Sequence, residues 1–195
     1  TAIQHLQAMT IIANNGKMLR PHIVKEIKNP NTGEIIYQRE IEESKKLVKD
    51  STVNKMKELM YNTVNGNNIG TTGTGYKIEG YDIIGKTGTA QIYDTNSNRY
   101  YSGWNDYIYS FSGIFPKDNP KYIVYGAIQR PNNGSAKGLQ SAVKEVIKNI
   151  AKYKNLFPSD NTEITINEYT LDSYISVDID KTKNLLEDNG LKVII

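Results

Sequence analysis

Cysteine is absent from the 195 residues, which excludes disulfides, thiolate catalysis and cysteine-bound zinc and leaves the compartment open. Histidine occurs twice, at His5 and His22, and neither has Asp, Glu or Cys at the spacing of a zinc motif. Both read as structural or surface residues, and no metal or cofactor is expected. Phe (3) and Trp (1) are scarce beside 14 Tyr, so aromatic burial falls to side chains with a polar tip, common at surfaces and grooves. No apolar run approaches bilayer length and no signal peptide is visible, which says nothing of polypeptide outside these residues. An excess of either charge is missing too: 24 basic residues face 21 acidic ones, a net +3. The lysines are scattered among acids without a recognition motif, so nucleic acid is not an expected partner.

What is present suits one domain, or a domain with a small appendage. Hydrophobic content of 38% and a mean hydropathy of −0.54 imply a polar surface around a modest core. Ile3, Leu6, Met9, Ile12 and Ala13 recur at helical spacing until Asn14-Asn15-Gly16 stops them. Ile23, Val24 and Ile27, the turn cluster at residues 29–33, and Glu34-Ile35-Ile36-Tyr37 read as a hairpin. Asp50 or Ser51 caps a predicted helix whose buried stripe is Val53, Met56, Leu59, Met60 and Val64, with Met56 and Met60 as core. Residues 65–75 are rich in Asn, Gly and Thr, which predicts a mobile loop.

Residues 94–106 carry Arg99, Tyr100, Tyr101 and Trp104, and two readings stand: the rim of a substrate groove, or a hairpin extension with self-packed aromatics. Strands are expected over 107–115 and 121–129. Leu139, Ala142, Val143, Val146, Ile147, Ile150 and Ala151 then mark an amphipathic helix. Strands flanked by helices imply an α/β fold, an antiparallel sheet covered by helices. After Tyr153 the composition shifts, and Pro158-Ser159-Asp160-Asn161 marks a boundary. The expected organisation is a domain over 1–154, followed by a linker and a small α+β module over 155–195.

The chemistry concentrates in Lys86-Thr87-Gly88-Thr89, entered from Tyr81-Asp82-Ile83-Ile84-Gly85 and left through Ala90-Gln91-Ile92-Tyr93. An extended chain there sets a cation, two hydroxyls and backbone N–H groups along one strand edge, suited to a substrate that carries a carboxylate and passes through an oxyanion. The two-residue period puts Gln91 on the face of Thr87 and Thr89.

Gly85-Lys86-Thr87-Gly88-Thr89-Ala90-Gln91 resembles the third active-site motif of the penicillin-recognising serine acyltransferases, above all the class B high-molecular-weight penicillin-binding proteins. Segments on either side resemble the same family in its order: Thr1-Ala2-Ile3-Gln4 with Ile12-Ala13-Asn14-Asn15-Gly16-Lys17 and Arg20-Pro21-His22-Ile23-Val24 upstream, Ser110-Phe111-Ser112-Gly113-Ile114-Phe115-Pro116 with Asn119-Pro120-Lys121-Tyr122-Ile123-Val124-Tyr125 and the 139–153 helix downstream. The resemblance implies a peptidoglycan D,D-transpeptidase acylated by beta-lactams, in which Lys86 tunes the nucleophile. Thr87 and Thr89 bind the donor carboxylate, the Thr89 N–H forms half of an oxyanion hole, Gly88 admits the substrate, and Gln91 touches the peptide. Residues 177–195 resemble the opening of a PASTA module, a helix ended by Gly190 before a strand, without the module's usual early Pro.

The chain departs from the family in its nucleophile. Neither Ser-x-x-Lys nor Ser-x-Asn precedes Gly85; Ser141-Ala142-Val143-Lys144 and Ser159-Asp160-Asn161 match them only downstream, on a helix face and in a linker turn. The expectation is the C-terminal part of a longer polypeptide, with the serine, its Lys partner and a membrane anchor on the missing part, working on stem peptides at the extracytoplasmic face of the membrane. A serine beta-lactamase or beta-lactam sensor, and a non-catalytic wall-binding protein, are the alternatives.

Overall fold

The structure, a computed structural model, describes residues 1–67 and 71–156. The reading of 177–195 as a PASTA-like module, like Ser159-Asp160-Asn161, lies outside the described residues.

The first segment is helix α1 (Ala2–Ala13), closed at its start by a reciprocal capping box between Thr1 and Gln4. Asn15 (φ 47°) and Gly16 (φ 89°) turn the chain out of it as the stop signal requires. Strands β1 (Glu26–Lys28) and β2 (Ile35–Gln38) pair antiparallel, the expected hairpin. Its apolar residues do not enter the core: Ile27, Ile35 and Ile36 are all exposed.

Helix α2 spans Asp50–Asn65 and differs from the sequence reading in two respects. Its N-cap is Lys49, which makes no side-chain cap bond. Asp50 is already helical, and its carboxylate accepts an ion pair from Lys46 at 2.6 Å at the end where negative charge is favoured. The buried line is Val53, Lys57, Met60 and Val64, so Met60 is core, while Met56 and Leu59 stand 41% and 52% exposed. Residues 53, 57, 60 and 64 keep the spacing of one helical face, and the Lys57 stem joins it as apolar surface.

Three strands form the main sheet: β3 (Ile84–Gln91), β6 (Tyr107–Phe115) and β7 (Tyr122–Gln129). Between them β4 (Tyr93–Asp94) and β5 (Arg99–Tyr100) make a small hairpin. The strand order β3-β6-β7 is antiparallel throughout, and helix α3 (Lys137–Tyr153) follows. The strand limits and helix agree with the sequence reading to within two residues.

Side-chain alternation divides the core. Ile84 and Ile114 point to one face and join Met9 of α1 and Met60 of α2. Phe111 and Phe115 point to the other and meet Leu139, Val143 and Ile147 of α3 with Tyr76 and Ile83. The sheet therefore has α1 and α2 on one side and α3 on the other, the expected layered α/β architecture. On α3 the buried line is Leu139, Val143, Ile147 and Ala151, whereas Ala142 and Val146 lie exposed on its flank. His5 packs against Tyr125 with ring centroids 4.9 Å apart and the rings tilted by 38°, the structural role its sequence context suggests.

Candidate functional site

Strand β3 is an edge among the described residues: β6 pairs with one side of it and none of the described strands pairs with the other. Which backbone groups face the open side follows from ladder phase. Partners that exchange hydrogen bonds alternate with partners that do not. Ile92 N–H donates to Asp106 O at 3.1 Å, one step beyond the Gln91/Tyr107 pair of an unbroken register. Hence Lys86, Gly88 and Ala90 turn their N–H and C=O toward β6, and Thr87, Thr89 and Gln91 turn theirs to the open edge. Arg130 N–H donating to Tyr107 O at 3.0 Å fits the same phase, as does Lys86 Nζ, which reaches the outward Thr87 carbonyl at 2.6 Å.

The side chains obey the complementary parity. Lys86 stands opposite Ser112 and Gly88 opposite Ser110, on the face of α1 and α2. Thr87, Thr89 and Gln91 stand opposite Phe111, Tyr109 and Tyr107, on the face of α3. Lys86, Thr89 and Gln91 are exposed and Thr87 is half-buried. The predicted residues thus share one accessible strand, Lys86 and Gly88 on one face and Thr87, Thr89 and Gln91 on the other.

Two glycines in this strand answer to close approach. A Cβ on Gly85 would stand 2.4 Å from Phe111 Cζ, and one on Gly88 would stand 2.5 Å from Ser110 Oγ. Below them Tyr76 stacks on Phe111 at 3.8 Å, their rings 6° from parallel, so the strand enters the site from a fixed floor.

Part of the segment expected to be a mobile loop, residues 68–70, lies outside the described residues, and the described part on either side makes specific hydrogen bonds. Asn65 Nδ2 donates to Ile83 O at 2.8 Å and to Tyr61 O at 3.3 Å. Gly73 N–H donates to Thr63 O at 3.1 Å, and Tyr76 is buried in the core. Thr72 Oγ1 lies 2.6 Å from Thr87 Oγ1, a contact that composition alone had no means of revealing. Thr72, Lys86, Leu59, Asn62, Thr63 and Thr71 line a groove of about 320 Å³. A larger hollow of about 490 Å³ beside Ile3, Arg20 and Glu43 contains none of the predicted site residues.

Beyond Gln91 the hairpin reading of residues 94–106 describes what is observed. Tyr93 and Tyr100 meet edge to face at 5.2 Å, and Arg130 lies over Tyr101 at 4.6 Å while its Nε donates to Asp106 at 2.9 Å. That bond to Asp106 raises the Arg130 pKa. The Ser97 hydroxyl and the Asn96 N–H hold the Asp94 carboxyl below its ordinary range. Trp104 is 71% exposed.

Ser112, across from Lys86, is 3% exposed, and Ser110, across from Gly88, is half-buried. Ser141 is exposed on α3, behind the sheet from Lys86. Among the described residues no group of three or more His, Cys, Asp or Glu could hold a metal, and no helix is long and apolar enough to cross a membrane.

Residues 1–152 match the model of the penicillin binding protein transpeptidase domain. Similar curated proteins include stage V sporulation protein D of Bacillus subtilis, 31% identical over 67% of this chain and 19% of that protein. Peptidoglycan D,D-transpeptidase MrdA of Haemophilus influenzae is also 31% identical, over 74% of this chain and 23% of its own length. The chain thus spans about a fifth of the length of these relatives. Among solved structures, penicillin-binding protein 2X of Streptococcus thermophilus superposes with a TM-score of 0.65 at 26% identity, over 78% of this chain and 23% of that one. Penicillin-binding protein 3 of Mycobacterium tuberculosis, complexed with ampicillin, gives 0.69 at 25%, over 84% and 37%.

Proposed function

Since the chain belongs to the penicillin-binding protein transpeptidase family, we propose that it supplies the substrate-clamping edge of a peptidoglycan D,D-transpeptidase. The observation that carries this reading is the outward phase of Thr89 on the edge of β3 that no described strand covers, which turns its N–H toward a developing oxyanion. The nucleophilic serine comes from polypeptide outside this sequence, because neither family serine motif precedes Lys86 and Ser112 is sealed off.

The reaction divides into two acyl transfers. The serine oxygen attacks the penultimate D-Ala carbonyl of a donor stem peptide, and its proton passes to the serine's Lys partner, which returns it to the leaving nitrogen on collapse. The tetrahedral oxyanion accepts a hydrogen bond from Thr89 N–H, a contribution of about 3 kcal/mol. Collapse breaks the peptide bond, the leaving nitrogen takes a proton, and D-Ala departs. An amine of a second stem peptide then attacks the acyl ester and restores the serine. Thr87 and Thr89 hydroxyls donate to the donor's terminal carboxylate, Gly88 lets the peptide approach the strand, and Gln91 extends the contact. Lys86 favours the serine alkoxide by its positive field. A beta-lactam enters as a donor mimic, and its opened ring remains on the serine. This chemistry belongs at the extracytoplasmic face of the membrane, where stem peptides are found.

The test is labelling of the complete polypeptide with a fluorescent penicillin. Lys86→Ala slows acylation by about 100-fold, with the thermal midpoint held near wild type. Unchanged labelling rejects the role of Lys86, and rapid release of hydrolysed penicillin replaces the transpeptidase with a beta-lactamase.

A further inference from the structure

Thr72 and Thr87 share a hydrogen bond of 2.6 Å between their hydroxyl oxygens, in which either can be the donor. Each hydroxyl has one proton, so the direction of this bond decides what Thr87 offers to the open edge. With Thr87 as donor, its outward side presents lone pairs, which repel a carboxylate. With Thr72 as donor, the Thr87 proton is released toward the edge, and its O–H is polarised by the bond it accepts.

The loop geometry keeps Thr72 in reach. The next residue, Gly73, is buried and donates to Thr63 O. A Cβ there would stand 2.6 Å from that same oxygen, so only glycine seats the loop this close to α2. Three residues on, Tyr76 is buried against Phe111, the residue opposite Thr87 in the sheet. One stack of side chains thus sets both the strand and the loop that touches it. The Thr87 carbonyl is engaged by Lys86 Nζ, which leaves its hydroxyl as the group whose polarity is open to choice.

We propose that Thr72 is a positioning residue: it donates to Thr87 and thereby fixes Thr87 as a donor to the terminal carboxylate of the acyl donor. The inference rests on the transpeptidase reading and adds to it a determinant of selectivity for acid-terminated substrates. Thr72 touches no substrate; it acts through Thr87.

The experiment compares acylation of the complete polypeptide by benzylpenicillin and by its methyl ester, in wild type, Thr72→Val, Thr72→Ser and Thr87→Val. Thr72→Val keeps the side-chain shape without the hydroxyl. It is expected to slow acylation by the free acid about tenfold and to leave the slower ester reaction unchanged. Thr72→Ser restores the wild-type rate, and adding Thr72→Val to Thr87→Val produces no further loss. Equal slowing of acid and ester by Thr72→Val overturns the proposal in favour of a merely structural role, and a wild-type rate with the free acid overturns it outright. Failure of the wild type to acylate with either compound removes the transpeptidase reading, and this inference with it.

Discussion

Gly85 lies against the edge of the Phe111 ring, so that a Cβ on Gly85 would stand 2.4 Å from Cζ and 2.5 Å from Cε2. Phe111 is fully buried and stacked on Tyr76, leaving the ring no room to retreat. Gly85→Ala is therefore expected to destabilise the domain by about 1–3 kcal/mol, the usual cost of overpacking. Denaturant titration measures it, and an unchanged midpoint would show that the ring gives way.

Gly88→Ala meets a softer obstacle. Its Cβ would stand 2.5 Å from Ser110 Oγ but 3.9 Å from Ser110 Cβ. The clash is with the hydroxyl alone. Gly88→Ala is expected to slow penicillin acylation, and Gly88→Ala/Ser110→Ala to recover stability. A double variant as unstable as the single one shows that the strand backbone, rather than Ser110, resists the methyl group.

Asn65→Ala removes the amide that bonds Ile83 O and Tyr61 O. Ile83 is fully buried at the entrance to the motif strand, so its carbonyl is left without this donor. A loss of about 1–3 kcal/mol is expected, with faster hydrogen exchange at residues 83–85. Exchange unchanged there would mean that the strand entrance does not depend on this anchor.

Tyr76 predicts a pH effect. Burial pushes its hydroxyl pKa up to about 12 from 10.0, and its oxygen has no hydrogen-bond partner. The raised group favours the folded state fully below pH 10, and that contribution is lost as pH climbs from 10 toward 12, because only the unfolded chain ionises readily there. Tyr76→Phe removes this slope. At neutral pH it is expected to be neutral or stabilising by about 1 kcal/mol, and between pH 10 and 12 it should outlast wild type by up to about 2 kcal/mol. Parallel stability curves for the two proteins over that range would refute the burial-driven shift.

Much of this was legible in the residues themselves. The 107–115 and 121–129 strands carry apolar runs bounded by Pro116 and Pro120, and the α3 stripe repeats at helical spacing, so local periodicity fixed each element. Lys86, Thr87, Thr89 and Gln91 are neighbours on one strand, and a two-residue repeat puts Thr87, Thr89 and Gln91 on one face and Lys86 on the other. Exposure was less legible. Met56 and Leu59 fit a helical stripe by hydropathy and Lys57 does not, yet Lys57 is inside and they are outside. The Asn, Gly and Thr content of residues 65–75 favours turns, while the bonds from Asn65 to Ile83, Thr72 to Thr87 and Gly73 to Thr63 reach residues distant in sequence and could not be read from composition.

The amino-acid sequence by itself determined which groups exist at the site and their alternation along one strand, because chemistry and side-chain parity are local properties of the chain. Only the tertiary structure decided that β3 is an edge, that Thr89 N–H faces its open side, and that Thr72 meets Thr87. Each of these depends on which strand pairs with which and in what phase, and that rests on packing Phe111 against Tyr76 and α3, both distant from it in sequence.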